Sequence, residues 1–284
     1  MVIAEKAALD QWYCIDALSD VGMGQSSNRL LGMDIFVNRD VNGAIGVTME
    51  GRATPLPTRE RYGYLWTTLG TPATEVLAIP EASENDRRVV VCGAVTVKTS
   101  GLRVVENFLD MAHFPYVHTN ILGAEPHTEV RHYTAEIRHD VDEVWATNCQ
   151  FFHPQAALTV AEGIMTQYQY RVANPFVAVL YKTEPHLANR WEVICLFVQP
   201  LDPDRSRAHV IKYLLDGVSP LINLVHSQQR IFLQDRIILE NQRPLLLPLE
   251  PRAEIPTRAD ASSIAYRRWL KEKGLTYGTN AKVA

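Results

Sequence analysis

Several features that mark large classes of protein are scarce or absent in this sequence. Its 284 residues contain only four cysteines, and none of them stands in paired spacing. They are Cys14, Cys92, Cys149 and Cys195. Cysteines scattered in this way indicate reduced thiols within a core rather than a disulfide framework.

Long apolar runs and a strong charge of one sign are missing as well. No stretch approaches the roughly 18 apolar residues of a membrane-spanning helix. Glu5 and Lys6 interrupt the opening residues where a signal peptide would need an apolar segment. The net charge is only −4, which gives no reason to expect nucleic acid as a partner. We therefore expect a soluble, cytoplasmic enzyme without membrane or nucleic-acid partners.

Between Glu106 and His118 the sequence concentrates one asparagine, one aspartate and two histidines. Apolar residues before His113 predict a helix that reaches this histidine and is ended by Pro115. In a continuous helix His113 and His118 would point about 140° apart, because each residue advances by about 100°. The break at Pro115 lets His118 fold back towards His113. Neutral imidazole is a common metal ligand, and two histidines leave one place for a carboxylate.

A long helix further along the chain is predicted to bury such a carboxylate. From Leu221 to Gln242 apolar residues recur at helical spacing, and Asp235 lies three or four residues from four of them. The apolar stripe consists of Leu224, Val225, Ile231, Phe232, Ile238 and Leu239. An unpaired buried carboxylate costs several kcal/mol, so it requires a cation, a hydrogen-bond cage or a raised pKa. A metal ion would meet that requirement.

Two histidines and one carboxylate form the facial triad typical of mononuclear non-heme iron oxygenases. The sequence therefore predicts that His113, His118 and Asp235 bind one metal ion. A structural alternative stays open for each part. Histidines at a helix end can cap carbonyl groups, and a buried aspartate can pair with an arginine.

The same residues match a family pattern. E-N-x-x-D-x-x-H-x-x-x-x-H is followed more than a hundred residues later by Q-D-R-I-I-L-E-N-Q. This pair of motifs resembles the catalytic domain of Rieske-type non-heme iron oxygenases, particularly their vanillate O-demethylase and dicamba monooxygenase branch. The resemblance implies that His113, His118 and Asp235 are ligands of iron(II). It also implies that Asp110 relays electrons to the iron from a Rieske cluster and that Asn107 is its neighbour beside the metal.

Strand-like segments predict the fold around this site. The valine-rich segment 88–98 is followed by three predicted hairpins and then by the 221–242 helix. The hairpins pair residues 129–138 with 143–152, 165–172 with 176–182, and 191–199 with 208–216. Six or seven antiparallel strands and one long helix suggest an α+β fold in which a curved sheet grips the helix. The resemblance implies the same helix-grip fold, with iron between helix and sheet.

The first part of the chain resembles the opening and closing strands of a Rieske domain in WYCIDALSDVG, RLLGMDIFVNRDVNG and ERYGYLWTTLG. A Rieske cluster needs two cysteines and two histidines. The join between these strands, residues 48–63, contains neither. We therefore predict that residues 1–87 form a residual Rieske-like β scaffold without cluster ligands and that residues 88–284 form the catalytic domain. No iron–sulfur cluster is expected in this chain.

Within this family, the resemblance and the missing cluster motif imply the oxygenase component of an N-demethylase. The substrate would be a methylxanthine such as 7-methylxanthine, whose methyl group leaves as formaldehyde after reaction with O2. Electrons would come from NADH through a partner reductase that carries flavin and the Rieske cluster. Further oxygenase or structural subunits would join it in a trimer-based assembly. Two alternatives stay open: an O-demethylase or other Rieske-type monooxygenase acting on an aromatic substrate, and a non-catalytic scaffold subunit.

Polar residues elsewhere in the sequence give weaker signals. Gln228 lies two turns before Asp235 on the same stripe, where its amide could bond a purine edge or simply pack in an interface. The other seven of the nine histidines have no second ligand at useful spacing. They are assigned no role.

Overall fold

The computed structural model describes residues 5–160, 162–185, 187 and 189–281, and this part of the chain has the expected α+β fold. Its helices are α1 (Lys6–Leu9), α2 (Gly101–Leu109), α3 (Phe114–Val117), α4 (Leu221–Asn241) and α5 (Ala261–Glu272). Its strands are β1 (Tyr13–Ala17), β2 (Gly24–Leu30), β3 (Met33–Arg39), β4 (Ile45–Met49), β5 (Thr58–Arg61), β6 (Tyr64–Thr67), β7 (Arg88–Val97), β8 (Thr134–Arg138), β9 (Glu143–His153), β10 (Ile164–Asn174), β11 (Val177–Thr183), β12 (Trp191–Asp202) and β13 (Arg205–Leu214).

A seven-stranded antiparallel sheet organises the molecule, with the strand order β7-β13-β12-β11-β10-β9-β8. The central strands β12 and β13 are buried along most of their length. A strand that is covered on both faces reads as a nearly continuous apolar run instead of an alternating pattern. The segment VICLFV of β12 has this character. Each face of the sheet therefore packs against another layer.

The outer face of this sheet packs against strands from the first part of the chain. These strands form two three-stranded sheets, β1-β6-β5 and β2-β3-β4. Tyr64 and Trp66 of β6 contact Phe197 of β12, with ring centroids 5.6 and 4.7 Å apart. All four cysteines are buried and unpaired, as predicted. Two of them, Cys14 and Cys195, belong to this outer layer.

Helices cover the inner face. α2 packs against β11, β12 and β13, α4 lies along β7, and α5 packs against β8 and β9. The predicted apolar stripe of α4 is buried at Leu224, Phe232 and Leu239, and Asp235 is buried with it. Ile238 is 49% exposed, contrary to the prediction, because it borders an open groove. The helix thus presents both apolar residues and a carboxylate to the space above the sheet.

The sequence patterns miss two strands. β2 has the sequence GQSSNRL and β5 has the sequence TRER, so polar residues hide the strand pattern in both.

The division of the chain after residue 87 stays a prediction. Tyr13 and Leu30 from the first segment belong to the same hydrophobic core as Leu102 and Phe176 from the second. In the described ranges of the chain, no helix is both long and apolar enough to cross a membrane.

Candidate metal centre

The segment between α2 and α3 positions the two predicted histidine ligands. The sequence predicts a helix that reaches His113, but α2 ends at Leu109. It ends there because the Asp110 carboxylate bonds the backbone of the residues that follow. This carboxylate accepts hydrogen bonds from the N–H of Ala112 at 2.7 Å and from the N–H of His113 at 3.3 Å. Such a side-chain turn competes with the helical hydrogen bonds. The prediction that Pro115 ends a helix is wrong: Pro115 lies in the first turn of α3, where its missing N–H is tolerated.

The structure brings the side chains of His113, His118 and Asp235 together. The two Nε2 atoms lie 3.2 Å apart, and Asp235 Oδ1 lies 2.9 Å from His118 Nε2 and 3.3 Å from His113 Nε2. His118 is only 1% exposed. All three potential ligand atoms lie within 4.8 Å of one another. Their role as metal ligands stays a prediction, but the geometry is the one that this role requires.

A second ring of contacts holds both imidazoles. His113 Nδ1 lies 2.8 Å from Asp110 Oδ2, and His118 Nδ1 lies 2.9 Å from Gln234 Oε1. A carboxylate or amide oxygen only accepts hydrogen bonds, so each Nδ1 carries the proton and donates it. Each Nε2 is then directed towards the space between the three side chains, where its lone pair is available to a metal ion once the ring is neutral, as in metal sites where outer partners orient the histidines. Sequence reasoning assigned no role to Gln234, although it directly precedes Asp235 in the Q-D-R motif.

The electrostatics of the site also fit a cation. Burial alone lowers the pKa of His113, but the Asp110 hydrogen bond and the nearby Asp235 outweigh it and raise the pKa to about 9. Burial raises the pKa of Asp235, but the two histidines outweigh it and hold the pKa below its usual value. Asp235 Oδ1 is buried and faces the two Nε2 atoms, without any other hydrogen-bond partner among the described residues. A divalent ion would satisfy this oxygen and both nitrogens, which together form a donor set that iron(II) accepts.

The three side chains border a cavity of about 150 Å³ between α4 and the inner face of the large sheet. Apolar side chains such as Phe108 and Leu196 form much of its wall. His153 also lines it, and the Tyr168 hydroxyl hydrogen-bonds the His153 ring. Burial and the nearby Lys182 hold the pKa of His153 well below its usual value, so this ring is neutral. Sequence reasoning assigned His153 no role, because no second ligand stands at useful spacing from it. His186, also assigned none, lies outside the described residues.

On the other side of His113 an open groove of about 820 Å³ reaches the protein surface. Asp110 borders this groove, and Asn107 borders both the groove and the cavity. Buried Arg103 lies at its base, 2.6 Å from the Glu254 carboxylate. The Asp110–His113 pair therefore connects the surface groove with the cavity beside α4.

This combination of fold and site is the one expected of the catalytic domain of a Rieske-type non-heme iron oxygenase. Residues 97–275 match the model of the vanillate O-demethylase oxygenase C-terminal domain, and the chain belongs to this family.

Similar proteins agree with this assignment. A "Probable methylxanthine N7-demethylase NdmC" of Pseudomonas sp. (strain TJI-51) is 48% identical over 95% of this chain and 96% of its own length. Among solved structures, NdmA of Pseudomonas putida CBB5 with caffeine has a TM-score of 0.74 at 16% identity, covering 93% of this chain and 90% of that chain. Dicamba monooxygenase bound to dicamba has a TM-score of 0.69 at 13% identity, covering 94% and 98%. At such identities the structural likeness shows the fold.

Proposed function

We propose that this chain is the oxygenase component of a methylxanthine N-demethylase, which removes an N-methyl group as formaldehyde with O2 and externally supplied electrons. The observation that carries the proposal is the convergence of His113, His118 and Asp235 beside a largely apolar cavity. It occurs in a chain that is 48% identical, over nearly its whole length, to a probable methylxanthine N7-demethylase. A scaffold subunit would need neither the three ligands nor their supporting contacts.

Each residue of the site has a defined task in this proposal. His113, His118 and Asp235 hold iron(II), which when bound supplies the activation of O2. Gln234 and Asp110 fix the orientation of the two imidazoles through Nδ1. The apolar walls of the cavity exclude water and hold the substrate beside the metal.

Electrons have to reach this site from another protein. Residues 48–63 contain no cysteine or histidine, and only residues 50–57 separate β4 from β5. We therefore infer a partner reductase that carries NADH-derived electrons through flavin to a Rieske cluster, and further oxygenase or structural subunits in a trimer-based assembly. Asp110 borders the open groove and bonds His113, so a cluster docked in the groove would meet the metal site through this pair. Asn107, beside both spaces, is the second residue that we place in this relay region.

Metal analysis and turnover assays test the proposal. Protein purified without O2 should contain about one iron per chain and no acid-labile sulfide, and two sulfides per chain would contradict the absence of a cluster. With NADH, reductase and a Rieske donor, 7-methylxanthine should yield formaldehyde and xanthine. Methoxybenzoates serve as the competing substrates, because the matched family is named for an O-demethylase. Formaldehyde from these ethers alone would favour the O-demethylase alternative, and iron-free protein without turnover would favour the scaffold.

A further inference from the structure

At the end of the cavity away from the metal centre, three charged side chains face inward from neighbouring strands. Lys182 of β11 pairs across the sheet with Glu192 of β12, and Lys212 of β13 lies opposite Ile194, two residues further along β12. Because successive side chains of a strand alternate between faces, the three charged side chains share the inner face. They line the cavity together with Gln228 of α4.

These charges are buried but incompletely paired. The Lys182 ammonium donates to the Ala156 carbonyl oxygen at 2.7 Å and lies 3.3 Å from the Glu192 carboxylate. Lys212 is only 8% exposed, and burial lowers its pKa. Within the part of the chain that the structure describes, neither the Lys212 ammonium nor the Gln228 amide has a hydrogen-bond or ion-pair partner. A buried ammonium without a partner is costly, so this end of the cavity is suited to a ligand that supplies an acceptor.

The charges around Lys212 narrow the chemistry of that acceptor. A ligand carboxylate would be attracted by Lys212 and Lys182 but repelled by Glu192 and Asp216, which also act on Lys212 and line the cavity. A ring edge with a C=O beside an N–H satisfies both side chains, because the oxygen accepts from Lys212 and the N–H donates to Glu192. Phe108 and Tyr170 contribute aromatic walls that fit a flat ring.

The length of the cavity along α4 suits a two-ring heterocycle. Gln228 and Asp235 are seven residues apart, which corresponds to about 10 Å along the helix axis. A two-ring molecule that is held at this end by its polar edge directs its opposite edge towards the metal centre.

We propose that Lys212 and Glu192 recognise the C=O and N–H edge of a methylxanthine and that Gln228 adds a further hydrogen bond. This assignment rests on the proposed function and names the residues that select its substrate. A methylxanthine with an unmethylated ring N–H beside a carbonyl, such as 7-methylxanthine, therefore binds more tightly than caffeine, in which every such nitrogen is methylated.

Calorimetric titration of the iron(II)-loaded protein without O2 tests the assignment. Lys212→Met and Glu192→Gln should each raise the Kd of 7-methylxanthine about ten-fold or more. The matched controls Lys6→Met and Glu129→Gln, whose side chains are 90% and 80% exposed, should leave the Kd unchanged. Wild-type protein should bind caffeine about ten-fold or more weakly than 7-methylxanthine, a comparison that needs no variant.

The outcomes separate this assignment from the proposed function. If wild-type protein binds 7-methylxanthine and both variants bind it equally well, the assignment is overturned and the proposed function stands. If Lys212→Met instead loses affinity for 4-methoxybenzoate, the end of the cavity is a carboxylate site. That result overturns the assignment and also methylxanthine as the proposed substrate. Wild-type protein that binds no methylxanthine overturns both.

Discussion

The inner and outer faces of the large sheet are built from the same strands but hold different kinds of side chain. On β12 and β13 the outer positions include Phe197 and Ile211, which pack against β1 and β6. The inner positions include Glu192 and Lys212, which line the cavity. The outer face only has to fill space, whereas the inner face has to leave space and supply charge. Polar residues at inner positions of otherwise apolar strands therefore mark the functional face.

The largest effect should come from removing the third ligand on the inner side. Asp235→Ala should abolish metal binding and turnover together, because two histidines alone hold iron(II) weakly and nothing else described in the site replaces the carboxylate. Metal content after purification without O2 measures this loss. The exposed Asp140→Ala provides the matched control. Full iron occupancy in Asp235→Ala would show that the ligand assignment is wrong.

Asp110→Asn should separate electron supply from metal binding. The asparagine oxygen can still accept from the backbone N–H of Ala112, so this bond of the turn is kept while the charge and the second acceptor oxygen are removed. We expect folded, iron-containing protein that loses nearly all turnover with NADH, reductase and Rieske donor. A purely structural aspartate would cost only about 1 kcal/mol of stability and leave turnover intact. Wild-type turnover in this variant would leave Asp110 as a turn residue.

The metal site and the two sheet faces differ in how much of them the sequence predicts. Helical spacing shows that Asp235 lies on a buried stripe. A predicted helix break between the two histidines suggests that they meet, although the break lies between α2 and α3, before Pro115. Spacing along a chain cannot show contacts between distant segments, so the Gln234–His118 bond and the position of His153 in the cavity wall stay hidden. Apolar runs predict the central strands well. Apolar runs do not show which face of a doubly covered strand borders a cavity. The sequence therefore does not distinguish Lys212 from any other strand residue.

A substitution on the outer face should affect stability alone. Phe197 is fully buried between Tyr64 and Trp66, and truncating a buried phenylalanine costs about 3–5 kcal/mol. Phe197→Ala should lower the free energy of unfolding in urea by that amount, with Val89→Ala on an exposed position as the control. Iron affinity of the folded variant should match wild type. A clear fall in iron affinity would mean that the two faces are coupled.

A smaller effect is expected from the contact that orients His118. Gln234→Leu removes the oxygen that accepts from Nδ1 and leaves the three ligands in place. Loss of such an outer partner typically weakens metal affinity about 10–100-fold. Gln229→Leu is the matched control, because Gln229 lies on the same helix and bonds the Cys92 carbonyl oxygen away from the metal centre. Equal affinities in the two variants would remove Gln234 from the metal site.

The last effect, about ten-fold for each pH unit, is a pH dependence of the same site. The pKa of His113 in the metal-free protein is about 9, raised from 6.5, so its ring is protonated at neutral pH and a metal ion has to displace that proton. Apparent metal affinity should therefore rise about ten-fold per pH unit from neutral pH towards the pKa, and then level off. The stability of the metal-free protein should change in the opposite sense. The raised pKa stabilises the fold fully below 6.5, and this contribution is lost as the pH rises through about 9. Zinc(II) competition against a chelator and urea unfolding of metal-free protein measure the two trends, and a metal affinity that is constant with pH would contradict the Asp110–His113 pairing.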